Sequence, residues 1–222
     1  MKRFFLLALT SIALLTAPAL AKSSDATWSP KPGDVIEFNV LRKGKPFGSH
    51  SVKFERDGEG RLIAKTDVNL KAGFGPITVF NYELKATEVW QDGKLVSLSG
   101  EVDDDGDEGF VQAVRSGDKL DVDGTKFEGE VSASIIPSSH WNFSQTQVSK
   151  LLSTGNGEIL DVAVSEQGRE TITAAGRRVE TTRYLLDSDI DVTLWYDAAG
   201  RWLKLAFKAR GQDIEYVLAK PY

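Results

Sequence analysis

The chain has 222 residues, with 27 basic and 32 acidic side chains, a formal net charge of −5 and no cysteine. The missing thiols exclude disulfides, thiolate metal sites and lipid attachment at an N-terminal cysteine. The acidic balance, with no basic stripe interleaved with aromatics, excludes nucleic acid and anionic membrane surfaces as natural partners.

Residues 1–21 read as a secretory signal: Lys2 and Arg3 form the basic start, Phe4 to Leu15 the apolar centre, and Ala19-Leu20-Ala21 a small-x-small cleavage site. The apolar run is shorter than the roughly 20 residues a membrane-spanning helix needs, and no later segment is long and apolar enough to span. Cleavage would leave 25 basic against 32 acidic residues, a formal −7, in an exported periplasmic protein. Residues 22–33 form a polar, extended leader containing Pro30 and Pro32, and residues 34–222 suit one domain.

From Asp34 the chain alternates. Ile36, Phe38 and Val40 oppose Val35, Glu37, Asn39 and Leu41, and Lys43-Gly44-Lys45-Pro46 turns the chain into Phe47–Arg56. Asp57-Gly58-Glu59-Gly60 leads into Leu62–Ala72. The longest run, Ile77 to Gln91, carries an apolar row at Phe80, Tyr82, Leu84, Ala86 and Trp90, interrupted by Glu88. Its length predicts a strongly curved strand, with Gly73 and Gly75-Pro76 marking a bend. Leu95–Val102 follows. The acidic run Asp103–Gly109 lacks the glycine at the sixth and glutamate at the twelfth position of a calcium loop, so it reads as a solvated hairpin tip. Phe110–Arg115, Leu120–Val122 and Thr125–Val131 continue as short strands. The Asp-Gly pairs beginning at Asp57, Asp92, Asp105 and Asp123 supply hairpin turns.

The pattern changes after Ile135-Ile136-Pro137. Ser144 and Gln147 at capping-box spacing, then Val148, Leu151 and Leu152 before Gly155, predict one short helix. Alternation returns at Ile159–Val164. It ends in a meander of Glu170–Thr173, Val179–Leu186, Ile190–Tyr196, Trp202–Phe207 and Ile214–Leu218, joined by tight turns. The whole predicts an all-β domain: a large curved antiparallel sheet or incompletely closed β-barrel, with one short helix near its mouth or concave face.

No catalytic motif stands out. His50 and His140 are the only histidines. Ser139 and His140 are adjacent and point apart along an extended backbone, and the Gly-x-Ser-x-Gly turn is absent. Two histidines far apart in sequence do not make a zinc site, and no phosphate-binding glycine loop precedes a helix, so no metal and no cofactor is expected. The aromatic content points instead to a concave apolar cavity holding a lipid-like ligand, with an ordinary β core as the competing use of the same side chains. His140, Trp141, Arg183, Trp195 and Trp202 are the candidate ligand-binding residues, with His140 or Arg183 as polar anchors. A periplasmic non-catalytic protein binding a hydrophobic ligand or an envelope partner is the leading expectation. An envelope hydrolase or isomerase using His140, and a scaffolding protein acting through exposed strand edges, are the alternatives.

Ser139-His140-Trp141-Asn142, Arg183-Tyr184, Leu194-Trp195-Tyr196-Asp197 with Gly200-Arg201, and the ending Ile214-Glu215-Tyr216-Val217-Leu218 resemble an uncharacterised family of exported proteins from Gram-negative bacteria. The resemblance covers about Ser138 to Leu218. It implies a periplasmic location and a curved sheet similar to the half-barrels of lipoprotein carriers, and it brings no catalytic residues with it.

Overall fold

A computed structural model describes residues 28–74 and 77–222. The expected signal sequence, the first part of the expected leader and the expected bend at Gly75-Pro76 lie outside the described residues.

Alternating side chains and tight turns produce a continuous meander. Its first eight strands are β1 (Val35–Arg42), β2 (Lys45–Arg56), β3 (Leu62–Phe74), β4 (Ile77–Gln91), β5 (Lys94–Asp104), β6 (Asp107–Ser116), β7 (Lys119–Gly124) and β8 (Glu128–Ser132). A small insert comes next, made of β9 (Ile136–Pro137), β10 (Lys150–Leu152) and β11 (Ile159–Asp161). The meander resumes with β12 (Ala163–Ala174), β13 (Arg177–Asp187), β14 (Val192–Tyr196), β15 (Trp202–Ala209) and β16 (Gln212–Leu218). Thirteen strands form one sheet in the order β12-β13-β14-β15-β16-β1-β2-β3-β4-β5-β6-β7-β8. Every neighbour is antiparallel, and β16 lies against β1, with Val40 opposite Tyr216. Among the described residues, strands β12 and β8 are left at the two edges, and the barrel they form does not close.

The turns follow the sequence closely. Asp92-Gly93 and Asp105-Gly106 both hold positive φ, 51° and 73° then 61° and 97°, as a two-residue hairpin turn whose twist matches the strands requires. Asp123-Gly124 differs: the pair ends β7 instead of turning the chain. A Cβ on Gly124 would lie 2.8 Å from the Asn156 carbonyl oxygen, and one on Gly100 only 1.8 Å from that of Thr154. These glycines are the seat on which the 153–157 loop of the insert rests against β5–β7.

The predicted short helix is replaced by a five-residue 3₁₀ turn, Phe143–Gln147, capped by Asn142, whose side chain accepts from the Ser144 amide at 3.0 Å. Ser144 is therefore inside the turn and not its cap. Val148 is already extended, and Leu151 and Leu152 belong to β10, which pairs antiparallel with β11 and parallel with β9. Both leucines are buried because the little sheet is covered on both faces, so consecutive apolar residues mimic a helical stripe.

The concave face of the large sheet supplies the core, including Phe38, Phe54, Ala64, Leu98, Leu120, Val122 and Leu194. The ladder between β14 and β15 is irregular. Trp195 pairs with Lys204 but Tyr196 pairs with Trp202, so Leu203 is an extra residue on β15. That bulge re-aims Trp202 inward, where it is fully buried. The curl of the sheet brings the β15–β16 tip back to the β5–β6 tip: Arg210 Nη2 donates to both carboxylate oxygens of Asp104 at 3.1 Å.

Candidate ligand cavity

A cavity of about 1550 Å³ lies between the concave face and the insert. Its walls come from the inward parity of several strands: Val68 and Leu70 on β3, Leu84 on β4, Val102 on β5, Leu205 and Phe207 on β15, and Ile214 and Tyr216 on β16. Leu151, Leu160 and Val162 face them from the insert. The volume exceeds the roughly 300–1,000 Å³ of typical small-molecule pockets. Toward the mouth, Phe47 stacks on Phe80 with centroids 5.5 Å apart, and the guanidinium of Arg210 lies 5.3 Å over the Phe80 ring. Asp104, Asp105, Asp107, Glu108 and Lys126 make the rim polar and mixed in charge.

The inner end of this apolar space is polar. His50 stands opposite Phe38 on β1 and Val68 on β3, while Thr66 stands opposite Val52 on β2 and Ala86 on β4. Two residues beyond Ala86 is Glu88, so His50, Thr66 and Glu88 run diagonally across three strands on the same inner face. The segment Ser138–Trp141 of the insert lies over this diagonal.

Glu88 is fully buried. Its carboxyl accepts from Trp90 Nε1 at 2.8 Å and from Trp141 Nε1 at 3.2 and 3.3 Å. Burial pushes the group up to about 7, because removing the charged form from water outweighs the donors that favour it. The Ser139 hydroxyl also favours the carboxylate, although its geometry falls short of a hydrogen bond. Glu88 thus ties the insert to the sheet through the Trp141 indole.

His50 is buried among the rings of Phe38, Trp202 and Tyr216, with centroids 6.3, 5.3 and 5.5 Å away. Among the described residues, neither ring nitrogen has a hydrogen-bond partner. Burial first, then the neighbouring His140, push it down to about 3, so the imidazole is neutral at physiological pH. His140 sits at φ 65°, a left-handed conformation for a non-glycine residue. Its carbonyl accepts from Tyr196 Oη at 2.7 Å and from Gln145 Nε2 at 3.0 Å, which fixes the loop. Gln145 Oε1 is 3.0 Å from His140 Nδ1 and can only accept there, so Nδ1 carries the proton. Burial pushes the His140 imidazole down as well.

The candidate residues from sequence separate into three groups. His140 lines the cavity. Trp141 and Trp202 lie behind its inner end: Trp141 packs edge-on to Phe54 and Trp90, and Trp202 holds the His50 and His140 rings at 5.3 and 5.6 Å. Arg183 and Trp195 are on the outer face and away from the cavity, because the inward parity of β14 belongs to Leu194 and Tyr196. Trp195 donates to Glu170 and lies under Lys204, 4.9 Å from ring to ammonium, and Arg183 is 4.0 Å from the same Glu170. Of the five residues expected to bind a ligand, His140 lines the cavity and Trp141, Arg183, Trp195 and Trp202 do not.

His50, Thr66 and Glu88 were not singled out by the sequence. Their signal was a polar residue in phase with an apolar row, which Glu88 shows openly between Ala86 and Trp90. Among the described residues, no group of three or more His, Asp or Glu side chains converges as a metal-ligand set.

These features define a class: all-β proteins in which a single antiparallel sheet curls around an internal cavity without closing. The chain belongs to the DUF6134 family, a domain of unknown function, whose family model matches residues 38–219. No curated protein matches it. Its fold is similar to the crystal structure of a β-barrel-like protein of the DUF1849 domain of unknown function from Brucella abortus. That protein is 9% identical, with 84% of this chain and 95% of that chain covered and a TM-score of 0.58. At that identity the likeness shows the fold alone.

Proposed function

We propose that this protein is an exported, non-catalytic binder of an elongated hydrophobic ligand, held in the cavity between the curved sheet and its insert. The observation that carries the reading is the cavity itself, about 1550 Å³ and walled by aliphatic and aromatic side chains from the sheet and the insert. Burying apolar ligand surface there is favourable by roughly 25 cal/mol per Å². The signal-like N-terminus supports action in the cell envelope, where apolar molecules need shielding from water in transit.

Native mass spectrometry of protein purified gently from the periplasm, with organic extraction, tests the reading. A discrete extra mass that extracts as lipid is expected, together with a mature chain beginning at Lys22. Val68→Trp, which fills the cavity from its wall, is expected to abolish that mass. A clean ligand-free mass combined with failure to take up any added acyl or alkyl compound would sink the proposal.

A further inference from the structure

Three side chains at the inner end of the cavity lack the partners that burial demands. His50, Thr66 and Ser139 are 5%, 4% and 3% exposed. Among the described residues, neither ring nitrogen of His50 nor the Thr66 hydroxyl makes a hydrogen bond, the Ser139 hydroxyl faces the Glu88 carboxyl but falls short of one, and all three residues line the cavity. A buried polar group without a partner is destabilising, so such a group calls for one. Nothing in the packing requires it, since Val52 and Val68 beside them on the same two strands are apolar and buried.

The three form one cluster. His50 and Thr66 are diagonal neighbours on the inner face of β2 and β3. Ser139 is held over the next strand, facing the Glu88 carboxyl, by the bond to Glu88 from Trp141 two residues further on. A neutral imidazole offers one donor and one acceptor, and each hydroxyl offers a donor and two acceptor positions. The cluster has no fixed positive charge, and the Glu88 carboxyl beside it is engaged by two indoles and faced by the Ser139 hydroxyl. An anion brought here would be desolvated without a counter-charge.

We infer that the inner end of the cavity is a polar subsite formed by His50, Thr66 and Ser139, which receives an uncharged donor–acceptor group, a hydroxyl or carboxamide, at the end of an apolar chain. The chain then lies along Val68, Leu84 and Leu205 toward the mouth. This inference rests on the cavity-binding reading and adds the ligand's chemical class and orientation to it.

The test is displacement of anilinonaphthalene sulfonate from the full mature protein by decanol, decanamide, decanoate and decane. Thr66→Val and His50→Phe, which keep shape and ring packing, are measured beside the parent. Decanol and decanamide are expected to bind about tenfold more tightly than decane, one hydrogen bond's worth of discrimination. In either variant that ratio is expected to fall toward one. Removal of an unsatisfied buried polar atom is also expected to leave the ligand-free melting temperature the same or higher. Equal binding of all four compounds, or a ratio that survives both substitutions, would overturn the subsite while leaving the cavity reading intact. Tightest binding of decanoate would overturn the uncharged class. Displacement by none of them would remove both the inference and the reading beneath it.

Discussion

Glu88→Gln probes how the insert is fastened to the sheet, and its effect depends on pH in a way the structure fixes. In the unfolded chain the carboxyl titrates near 4.5, and in the folded protein burial raises it to about 7. Between those values the folded state holds a proton that the unfolded state has released, so stability falls as pH rises, by about 1.4 kcal/mol per pH unit. The full contribution is present below pH 4.5 and gone above pH 7, a total on the order of 3 kcal/mol. His50 opposes it: unfolded near 6.5 and folded near 3, it makes stability rise with pH across that window. The two slopes oppose each other where they overlap, from about pH 4.5 to 6.5, and His140, also pushed down by burial, acts in the same sense as His50. Glutamine keeps an acceptor for the indoles and cannot ionise. The assay is urea unfolding of parent and variant side by side across pH 4.5 to 7. Subtracting the two curves cancels both histidines, and the variant is expected to gain on the parent steadily as pH rises, by about 3 kcal/mol over the interval. A difference independent of pH would contradict this linkage and mean that the Glu88 carboxyl is solvated and ionises normally in the folded protein.

Gly100→Ala places a methyl 1.8 Å from the Thr154 carbonyl oxygen, so the insert must lift from β5. A loss of about 1–3 kcal/mol is expected, read from the urea midpoint, together with faster amide exchange in the 153–157 loop. Arg210→Ala removes the ion pair with Asp104 that links the two hairpin tips at the cavity mouth, where both partners are substantially exposed. Stability is expected to change by less than about 1 kcal/mol. Ligand release, followed by stopped-flow displacement, is expected to accelerate, and an unchanged release rate would show that the mouth opens elsewhere.

The strands, most of their turns and the buried row of β4 were legible in the sequence, because those are local properties. Side chains two residues apart share a face, and an Asp-Gly pair turns the chain wherever two strands twist together. Glu88 was visible as the one charged residue in that row. Which aromatics mattered was settled by tertiary packing. Trp202 shares its parity with the outward Lys204, yet a single extra residue at Leu203 turns it into the core. Trp195, as prominent in sequence, faces outward over Glu170. The pairing of β10 with both β9 and β11 converted an apparent helix into a strand, because burial on two faces erases the period that distinguishes them. The meeting of His50 with Ser139 and His140 was hidden because it is equally non-local. It depends on the curvature of β2–β4 and on where the insert lands on the sheet, and both are set by packing between segments some ninety residues apart in the chain.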